Sequence, residues 1–383
     1  MTNAVAGGPN MRVAVIGAGI IGAAIAYRLA RRGCTVTIVD RHQPAAGATR
    51  RSFAWINAGA KTPASYHDLN RRSLEMWNRF AGELATEVGL RWGGKISWAN
   101  TETEARTLVE RVQRLQSWGY PCRVIDEAEL RRLEPNLNPG KVIAAEYSEI
   151  EGQVEPQLVV AACLQWASQA GAVTRYETAV TGFSLAPTGS RIQTVHTTGG
   201  DLPCDLVVLA AGVDTTELAS KLEIEIPQEE SPGVVVRTDP QPPLLRSVPV
   251  LYPPPVDAQH DEIHLRQTHD GAVLIGEGSQ ESLHRDDSQE HADDLLSRAS
   301  RYLPALDSAR ATPVPMGFRP MPIDGYPVIG FTPAVPNLYV ALTHSGVTLC
   351  PLVSELAALE IFEGTRVEFL RDYRPQRFTK SVA

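Results

Sequence analysis

One segment near the N-terminus restricts the fold of this chain more than any other part of the sequence. Residues 11–16 form a short apolar run of strand character, and the glycine-rich sequence GAGIIG at 17–22 follows at once. An alanine-rich helix is predicted from there to about Arg32, and a second strand over 35–39 ends at Asp40. Strand, glycine turn, helix, strand and acidic residue in this order are typical of a βαβ unit that binds a dinucleotide.

Each position of this motif has a physical role in dinucleotide binding. Gly17 allows a tight turn, Gly19 lets the backbone approach a pyrophosphate, and Gly22 lets the helix lie close to the strand. The phosphates then contact the helix N-terminus, where unpaired N–H groups and the helix dipole favour anions. Asp40 is placed to accept a hydrogen bond from a ribose 2′-hydroxyl and would repel a 2′-phosphate, which disfavours an NADP-type ligand. The predicted contacts in this unit are Gly17, Ala18, Gly19, Ile20, Gly22 and Asp40. The motif alone does not distinguish FAD from NAD.

The chain is too long for a single hydrophobic core. It has 383 residues, whereas single cores stop growing at about 250–300 residues, so two domains are expected. Hydrophobic residues make up 43% of the chain and charged residues 21%, which excludes a disordered or fibrous protein. The formal net charge of −8 argues against a nucleic acid or an anionic membrane as partner.

The cysteines and the N-terminus indicate the compartment. The five cysteines lie at least 41 residues apart, so neither a CxxC metal motif nor a disulfide framework is expected. Residues 1–10 lack the basic and apolar regions of a signal peptide and are predicted to form a loose tail. The longest apolar stretch, 13–26, has 14 residues, whereas a membrane span needs about 20. The sequence therefore predicts a soluble, cytoplasmic protein.

The order of helical and strand patterns predicts an interrupted domain. Strand patterns dominate 233–278, including a hairpin with its turn at 269–271, whereas α/β patterns precede this block and return after it. This order favours an α/β protein (α+β overall) with an inserted antiparallel-sheet domain. The Rossmann-like nucleotide-binding domain is then built from the non-contiguous segments 1–90, 150–222 and 316–383. The inserted, substrate-binding domain comprises 91–149 and 223–315. Helices are predicted over 66–88, 103–118, 156–170, 288–302 and 347–362.

Further motifs follow the glycine-rich turn in a specific order. They are Asp40-Arg41, GATRRS at 47–52, EGQVEP at 151–156, VVLAAG at 207–212, GFRP at 317–320, DGYPVIG at 324–330 and HSGVT at 344–348. Each is weak alone, whereas their order and spacing together are specific. From about residue 11 to 362 the chain resembles the superfamily of D-amino-acid oxidase, glycine oxidase and sarcosine oxidase, which are FAD-dependent amine oxidoreductases.

The resemblance implies FAD in an extended conformation, with its isoalloxazine ring at the junction of the two domains. It also implies that a hydride leaves a carbon bearing an amine and that the resulting imine hydrolyses. Reduction at flavin N5 builds negative charge at N1 and C2=O, and the N-terminus of helix 347–362 would face that edge. The matching cofactor positions are Arg41, Ala48, Thr49, Arg50, Ser52, Val180, Gly212, Gly317, Ser345, Gly346, Val347 and Thr348.

Four residues are candidates for the substrate side, namely Arg319, His344, His264 and Tyr252. A guanidinium pairs with a planar carboxylate through two hydrogen bonds, and the resemblance implies this role for Arg319. A surface or interdomain ion pair is the alternative. His344 is expected to line the flavin edge. In the predicted strand 262–268, His264 and Arg266 share one face, which lines the cavity or faces solvent.

The chain departs from sarcosine oxidase-like members at several positions. Those members attach FAD covalently through a cysteine at about the position of Gly317, and no cysteine lies near it here, so non-covalent FAD is expected. Their lysine in the final motif corresponds to Thr348. No lysine lies between Lys221 and Lys380, so the lysine that activates oxygen in those members is also missing.

Several functions stay open at this level. The leading hypothesis is an oxidase that acts on a small-molecule amine or amino acid and uses oxygen. A second is a dehydrogenase, in a homo- or hetero-oligomer, that passes electrons to another acceptor, and a third is a non-catalytic flavoprotein scaffold. An NAD-dependent dehydrogenase leaves the GFRP and HSGVT segments unexplained. No metal is expected, because no carboxylate or thiolate completes the histidine set His260, His264 and His269.

Overall fold

The structure, a computed structural model, describes residues 8–187, 189–278, 283 and 285–379, so most of the predicted N-terminal tail lies outside the described residues. The strands are β1 (Arg12–Ile16), β2 (Thr35–Val39), β3 (Trp55–Ile56), β4 (Arg91–Trp92), β5 (Lys95–Ala99), β6 (Cys122–Ile125), β7 (Ala144–Ser148), β8 (Gly152–Gln153), β9 (Val173–Arg175), β10 (Val180–Leu185), β11 (Ile192–Thr197), β12 (Leu202–Pro203), β13 (Leu206–Leu209), β14 (Gln228–Thr238), β15 (Val250–Tyr252), β16 (Ile263–Gln267), β17 (Val273–Glu277), β18 (Ala311–Pro322), β19 (Val328–Phe331) and β20 (Leu338–Leu342). The α-helices are α1 (Ile20–Arg31), α2 (Ala64–Leu84), α3 (Glu102–Ser117), α4 (Glu127–Leu133), α5 (Pro156–Gln169), α6 (Thr215–Ser220), α7 (Gln289–Tyr302) and α8 (Gly346–Glu363). Short 3₁₀ helices span Gly212–Asp214, Pro304–Ser308, Glu368–Tyr373 and Pro375–Phe378.

A six-stranded sheet carries the glycine-rich turn. Its order is β19-β20-β13-β1-β2-β9, and all neighbours run parallel except β19 and β20. The central strand β1 is apolar on both faces, because α1, α5 and α8 cover one face and the small sheet β10-β11-β12 covers the other. This confirms the predicted Rossmann-like fold. The two strands and the end of α1 lie within one residue of the predicted bounds, whereas α1 begins earlier than predicted, at Ile20 inside the GAGIIG sequence.

An eight-stranded sheet forms most of the second domain, in the order β18-β14-β17-β16-β15-β5-β7-β6. Its neighbours are antiparallel, as predicted, except that β15 and β5 run parallel. That parallel pair joins the two chain segments from which the domain is built. Leu251, Leu265 and Ile275 form its core together with helix α7.

One domain boundary of the prediction falls inside a strand. Strand β18 pairs with β14 along its length, for example Gly317 with Gly233, so residues 316–322 belong to the eight-stranded sheet. The prolines of this segment, which resemble a loop in sequence, are tolerated because β18 is an edge strand. The other boundaries of the division stay predictions.

Buried polar contacts join the eight-stranded sheet to helix α5 and to the small sheet β3-β8-β4. The Arg266 guanidinium on β16 pairs with the Glu155 carboxylate at the start of α5, at 2.8 Å. The amide of Gln153 on β8 donates to the carbonyl of Gln267 at 2.6 Å. These contacts fix the position of the eight-stranded sheet relative to α5 and β8.

A helix that crosses a bilayer must be both long and apolar, with about 20 residues in the span. Among the described residues, no helix combines the length and the hydrophobicity that a membrane crossing requires. The cytoplasmic location stays a prediction.

Substitution of Gly22 tests the close approach of α1 to the glycine turn. A Cβ at Gly22 would lie 2.0 Å from the Gly17 carbonyl oxygen, so we expect Gly22→Ala to lower the free energy of unfolding by about 1–3 kcal/mol, as overpacking does. Gly82 on α2 has no atom within 4 Å of a built Cβ, so Gly82→Ala should be neutral or stabilising by up to about 1 kcal/mol. Denaturant unfolding measures both, and equal effects would contradict the packing argument.

Candidate active site

A cavity of about 990 Å³ lies between the two sheets and is lined by residues of both domains. Its walls include the glycine turn, the loop after β2, the N-terminus of α8, the inner strands of the eight-stranded sheet and part of α3.

The glycine turn is shaped by contacts that leave no room for side chains. Gly17 has a φ of +106°, and a Cβ there would lie 2.3 Å from the carbonyl oxygen of Ala210. The Asp40 carboxylate closes the turn, since it accepts the N–H of Ala18 at 2.7 Å and the N–H of His42 at 2.8 Å. A carboxylate has about four acceptor positions, so Asp40 can also accept a ribose hydroxyl. The turn therefore fits a dinucleotide with its backbone in direct contact.

The loop after β2 continues this wall. The Thr49 hydroxyl accepts the N–H of Ile20 at 3.1 Å, which holds the loop against the start of α1. The Arg51 side chain lies against Gly317, where a Cβ would be 2.6 Å from Arg51 Cδ, and it donates to the Pro315 carbonyl at 3.1 Å. Arg50, the residue singled out from the sequence, is exposed and is not part of the cavity wall. Adjacent loop residues point in different directions, and the sequence alone did not show which arginine faces inward.

The N-terminus of α8 forms the third wall. Its N-cap residue, Ser345, makes no side-chain cap, so the first N–H groups of the helix have no capping acceptor. The Ser345 hydroxyl instead contacts the hydroxyl of Tyr66 at 3.0 Å. The Thr348 hydroxyl accepts the N–H of Asn57 at 3.2 Å and donates to the Trp55 carbonyl at 3.3 Å. This helix end offers positive potential to an anionic group in the cavity.

Aromatic rings hold one of the predicted histidines on the substrate side. The His264 ring lies edge-on to Phe53, with centroids 4.4 Å apart, and is stacked on Tyr252 at 5.4 Å. The Tyr252 hydroxyl donates to Glu262 at 3.1 Å. Arg266, which lies two residues after His264 on β16, pairs with Glu155 instead. His264 and Arg266 therefore make different contacts although they share a strand face.

Arg319 lies in the same wall as the two histidines. Its guanidinium donates to the Pro232 carbonyl and to the Ser231 hydroxyl, the latter at 3.4 Å. A Cβ at Gly233 would lie 3.1 Å from Arg319 Cζ, so a glycine at that position leaves room for the guanidinium.

The histidines of this wall are uncharged near neutral pH. Burial, with a smaller effect from the Arg319 charge, lowers the pKa of His264 to about 3. Burial, followed by the charges of Lys61 and Arg319, lowers the pKa of His344 to about 3 as well. The positive charge of this region therefore resides on Arg319 and Lys61 and not on the histidines.

Most of the predicted site residues line this one cavity. They are Gly17, Gly19, Ile20, Asp40, Arg41, Ala48, Thr49, Ser52, Val180, Gly212, Tyr252, His264, Gly317, Arg319, His344, Ser345, Gly346, Val347 and Thr348. Ala18 and Gly22 lie behind the glycine turn, where they shape it. The individual roles of these residues stay predictions.

Several charged residues of the wall were not singled out from the sequence. They are Lys61, Lys95, Arg111, Glu146 and Glu151. Glu151 lies within the EGQVEP motif, which was the only signal for it. Its carboxylate accepts Trp55 Nε1 at 2.8 Å and the Tyr120 hydroxyl at 2.7 Å, and burial raises its pKa to about 7. Within the described part of the chain, no cluster of three or more His, Cys, Asp or Glu residues could hold a metal ion.

Comparison with known proteins identifies the family. A family model described as FAD dependent oxidoreductase matches residues 12–359. Glycine oxidase from Geobacillus kaustophilus (strain HTA426) is 27% identical over 97% of this chain and 97% of its own length. One of the subunits of opine oxidase from Agrobacterium tumefaciens (strain Ach5) is 26% identical over 95% of this chain and 96% of its own. A crystal structure of glycine oxidase from Geobacillus kaustophilus matches with a TM-score of 0.84 and 26% identity, and covers 96% of this chain and 99% of that one.

The chain belongs to the FAD dependent oxidoreductase family, and FAD is its cofactor. The cavity fits this cofactor on structural grounds. The glycine turn has no room for a Cβ at Gly17, and the N-termini of α1 and α8 both face the cavity. All five cysteines are buried, and none of them lines the cavity, which agrees with non-covalent binding.

The raised pKa of Glu151 predicts a pH dependence of stability. The folded protein holds this proton up to about pH 7, whereas the unfolded chain releases it near pH 4.5, so stability is lost as the pH rises through 7. At about 1.4 kcal/mol per pKa unit, the free energy of unfolding should fall by up to about 3 kcal/mol more in the wild type than in Glu151→Gln between pH 5 and 8.

Denaturant unfolding at both pH values measures this difference. Glu110→Gln is the matched control, since Glu110 is exposed on α3, and its pH dependence should equal that of the wild type. Identical slopes for the wild type and Glu151→Gln would contradict the assignment of this proton.

Proposed function

We propose that this FAD-dependent oxidoreductase, an enzyme acting on C–N bonds, oxidises an amino acid or a secondary amine that carries a carboxylate. Bound FAD supplies a hydride acceptor at N5. The substrate loses a hydride from carbon and a proton from nitrogen, and water then hydrolyses the imine to a carbonyl compound and an amine. The similarity to glycine oxidase over nearly the whole chain supports this class of reaction.

The position of Arg319 carries the proposal. Its guanidinium is oriented by Pro232 and Ser231 and lines the cavity together with His264 and His344. A guanidinium in such a wall binds a carboxylate through two parallel hydrogen bonds and thereby orients the bond that reacts. This role makes Arg319 a substrate-binding residue of the proposed reaction.

The uncharged histidines suit an amine substrate. With pKa values of about 3, His264 and His344 add no positive charge and do not compete with Arg319 for the carboxylate. Lys61 lines the same cavity and already lowers the pKa of His344. A nearby positive charge also favours the unprotonated form of a bound amine, which is the form that can lose a hydride.

Oxygen is the first candidate for the final electron acceptor, and a protein partner is the second. The second is supported by the similarity to opine oxidase, because the matching protein is named as one subunit of that enzyme.

Replacing Arg319 tests the proposed carboxylate contact. Hydrogen bonds to charged groups are worth about 1.5–3 kcal/mol, so Arg319→Leu should raise KM for a carboxylate-bearing amine by at least about tenfold. Arg319→Lys keeps the positive charge but loses the bidentate geometry, so its KM should lie between those of the wild type and Arg319→Leu. Steady-state kinetics over D-, L- and N-methyl amino acids measures the effect, with the decarboxylated amines as control substrates. An equal loss on both substrate sets would place Arg319 outside the carboxylate site.

The electron acceptor is tested with one substrate and two assays. We expect anaerobic addition of the substrate to bleach the flavin band, and air to restore it with release of H₂O₂. Rapid turnover with a redox dye but slow reoxidation in air would favour the partner-dependent dehydrogenase. No bleaching with any amine of the panel would favour the non-catalytic scaffold and reject the proposed function.

A further inference from the structure

The cavity extends beyond the residues discussed so far, into an arm between helix α3 and strands β5 and β7. Residues 95, 97 and 99 alternate along β5 with the core residues Ile96 and Trp98, and therefore face α3. The polar residues of the arm include Lys95, Ser97, Thr107, Arg111 and Glu146, and all five line the cavity.

Glu146 is the hydrogen-bonding centre of the arm. Its side chain is 1% exposed. One of its oxygens accepts Lys95 Nζ at 3.2 Å, the Ser97 hydroxyl at 3.3 Å and a guanidinium nitrogen of Arg111. The other accepts the Ser148 hydroxyl at 2.9 Å. Both oxygens are therefore engaged, and a ligand in the arm gains no acceptor from this carboxylate.

The unused hydrogen-bonding capacity of the cluster consists of donors. A lysine ammonium has three N–H donors, and among the described residues Lys95 contacts Ser97 and Glu146. The Arg111 contacts to Glu146 and Ser97 all come from Nη2, so within the described residues Nε and Nη1 have no protein acceptor. Two cations also face a single carboxylate, which leaves one positive charge in excess.

Two further acidic residues line the arm, and neither cancels this excess. Glu104 lies two turns from Arg111 on α3, about 10 Å along the helix axis, and its carboxylate accepts the N–H groups of Asn100 and Thr101 at 3.3 Å. Burial raises the pKa of Glu151 to about 7 against the opposing effect of the Lys95 charge, so this carboxyl is mostly protonated below pH 7, and its oxygens accept the donors described above. The arm is therefore complementary to an anionic acceptor.

A purely structural role explains this cluster poorly. The layer between α3 and the sheet is otherwise apolar, with Leu108 and Leu115 in its core. Replacing a buried ion cluster by apolar residues is often neutral or stabilising, so such a cluster adds little to stability. Its donors face a cavity that continues to Tyr252 and Arg319.

We propose that this arm binds a second carboxylate of the substrate, distal to the one at Arg319. The substrate class is then an amine with two carboxylates, such as an N-carboxyalkyl amino acid or an amino dicarboxylate. The proposal rests on the proposed function for the first carboxylate only. Arg111 and Lys95 act as specificity-determining residues, since they contact the distal group and not the reacting bond.

Binding of simple dianions tests the proposal without turnover. Calorimetric titration of the FAD-loaded protein with straight-chain dicarboxylates from malonate to suberate is compared with monocarboxylates of equal length. We expect one dicarboxylate to bind at least about tenfold more tightly than its monocarboxylate. In Arg111→Gln this preference should fall below about threefold, while monocarboxylate binding stays unchanged, because only the distal contact is lost.

The control variant is Arg114→Gln, which makes the same charge change at an exposed position of α3. It should keep the full preference. Lys95 still pairs with Glu146 in Arg111→Gln, so this variant is expected to fold, and thermal unfolding of all three proteins checks it. Arg111→Lys should retain part of the preference.

Two results overturn the proposal: equal binding of mono- and dicarboxylates by the wild type, or an equal loss for both ligands in Arg111→Gln. The proposed function fails separately. If dicarboxylates are preferred but no amine bleaches the flavin, the distal site stands and the oxidation does not. If amines bleach the flavin without any preference for dicarboxylates, only the distal site is rejected.

Discussion

The close approach of helix α1 to the backbone of the glycine turn is the constraint on which the site depends. Any side chain at Gly22 would overlap the Gly17 carbonyl, so the helix start lies directly on the carboxyl edge of the parallel sheet. Helix α8 follows this placement, since Gly346 lies against Ile20 and Ile21 at the first turn of α1. Two helix N-termini therefore meet at one wall of the cavity and give it positive potential without charged side chains. The neutral histidines complete a wall in which the cations are few and separately placed.

Local patterns in the sequence predicted the parts of the fold that depend on local chemistry. The β1–α1–β2 unit was predicted correctly, apart from the start of α1, because its glycines, its helix and its terminal acid are contiguous. The predicted boundary at residue 316 falls inside strand β18, whose prolines are tolerated because it is an edge strand. Arg50 was chosen where Arg51 faces the cavity, since loop residues have no periodicity that assigns a direction. The sheet of the second domain was predicted as antiparallel. Its single parallel pair, β5 with β15, joins segments far apart in the sequence, and local patterns do not predict such a pairing.

The charged residues of the cavity arm show why the rest could not be predicted. Lys95, Arg111 and Glu146 come from a strand, a helix and another strand, and each appears in the sequence as an ordinary surface charge. Their pairing depends on the register of β5 with β7, which places Ser97 opposite Glu146. The aromatic contacts of His264 likewise join three distant segments through Phe53 and Tyr252. Tertiary placement therefore decides which polar residues become a binding surface, and periodicity only decides which face of an element they occupy.

The parallel pairing of β5 with β15 has a consequence for the order of assembly during synthesis. Strands β5, β6 and β7 are synthesised early and can pair with β7 between the other two, whereas the partner of the other edge of β5 follows only with Val250–Tyr252. The six-stranded sheet is completed later still, because β13 pairs with β20, Leu338–Leu342, near the end of the chain. Neither core can close on a partial chain, and an unpaired strand edge is exposed to other polypeptides in the meantime. The β5 edge therefore stays unpaired from the synthesis of β5 until Val250–Tyr252 is available, an interval of about 150 residues of chain growth that makes unproductive strand pairing possible.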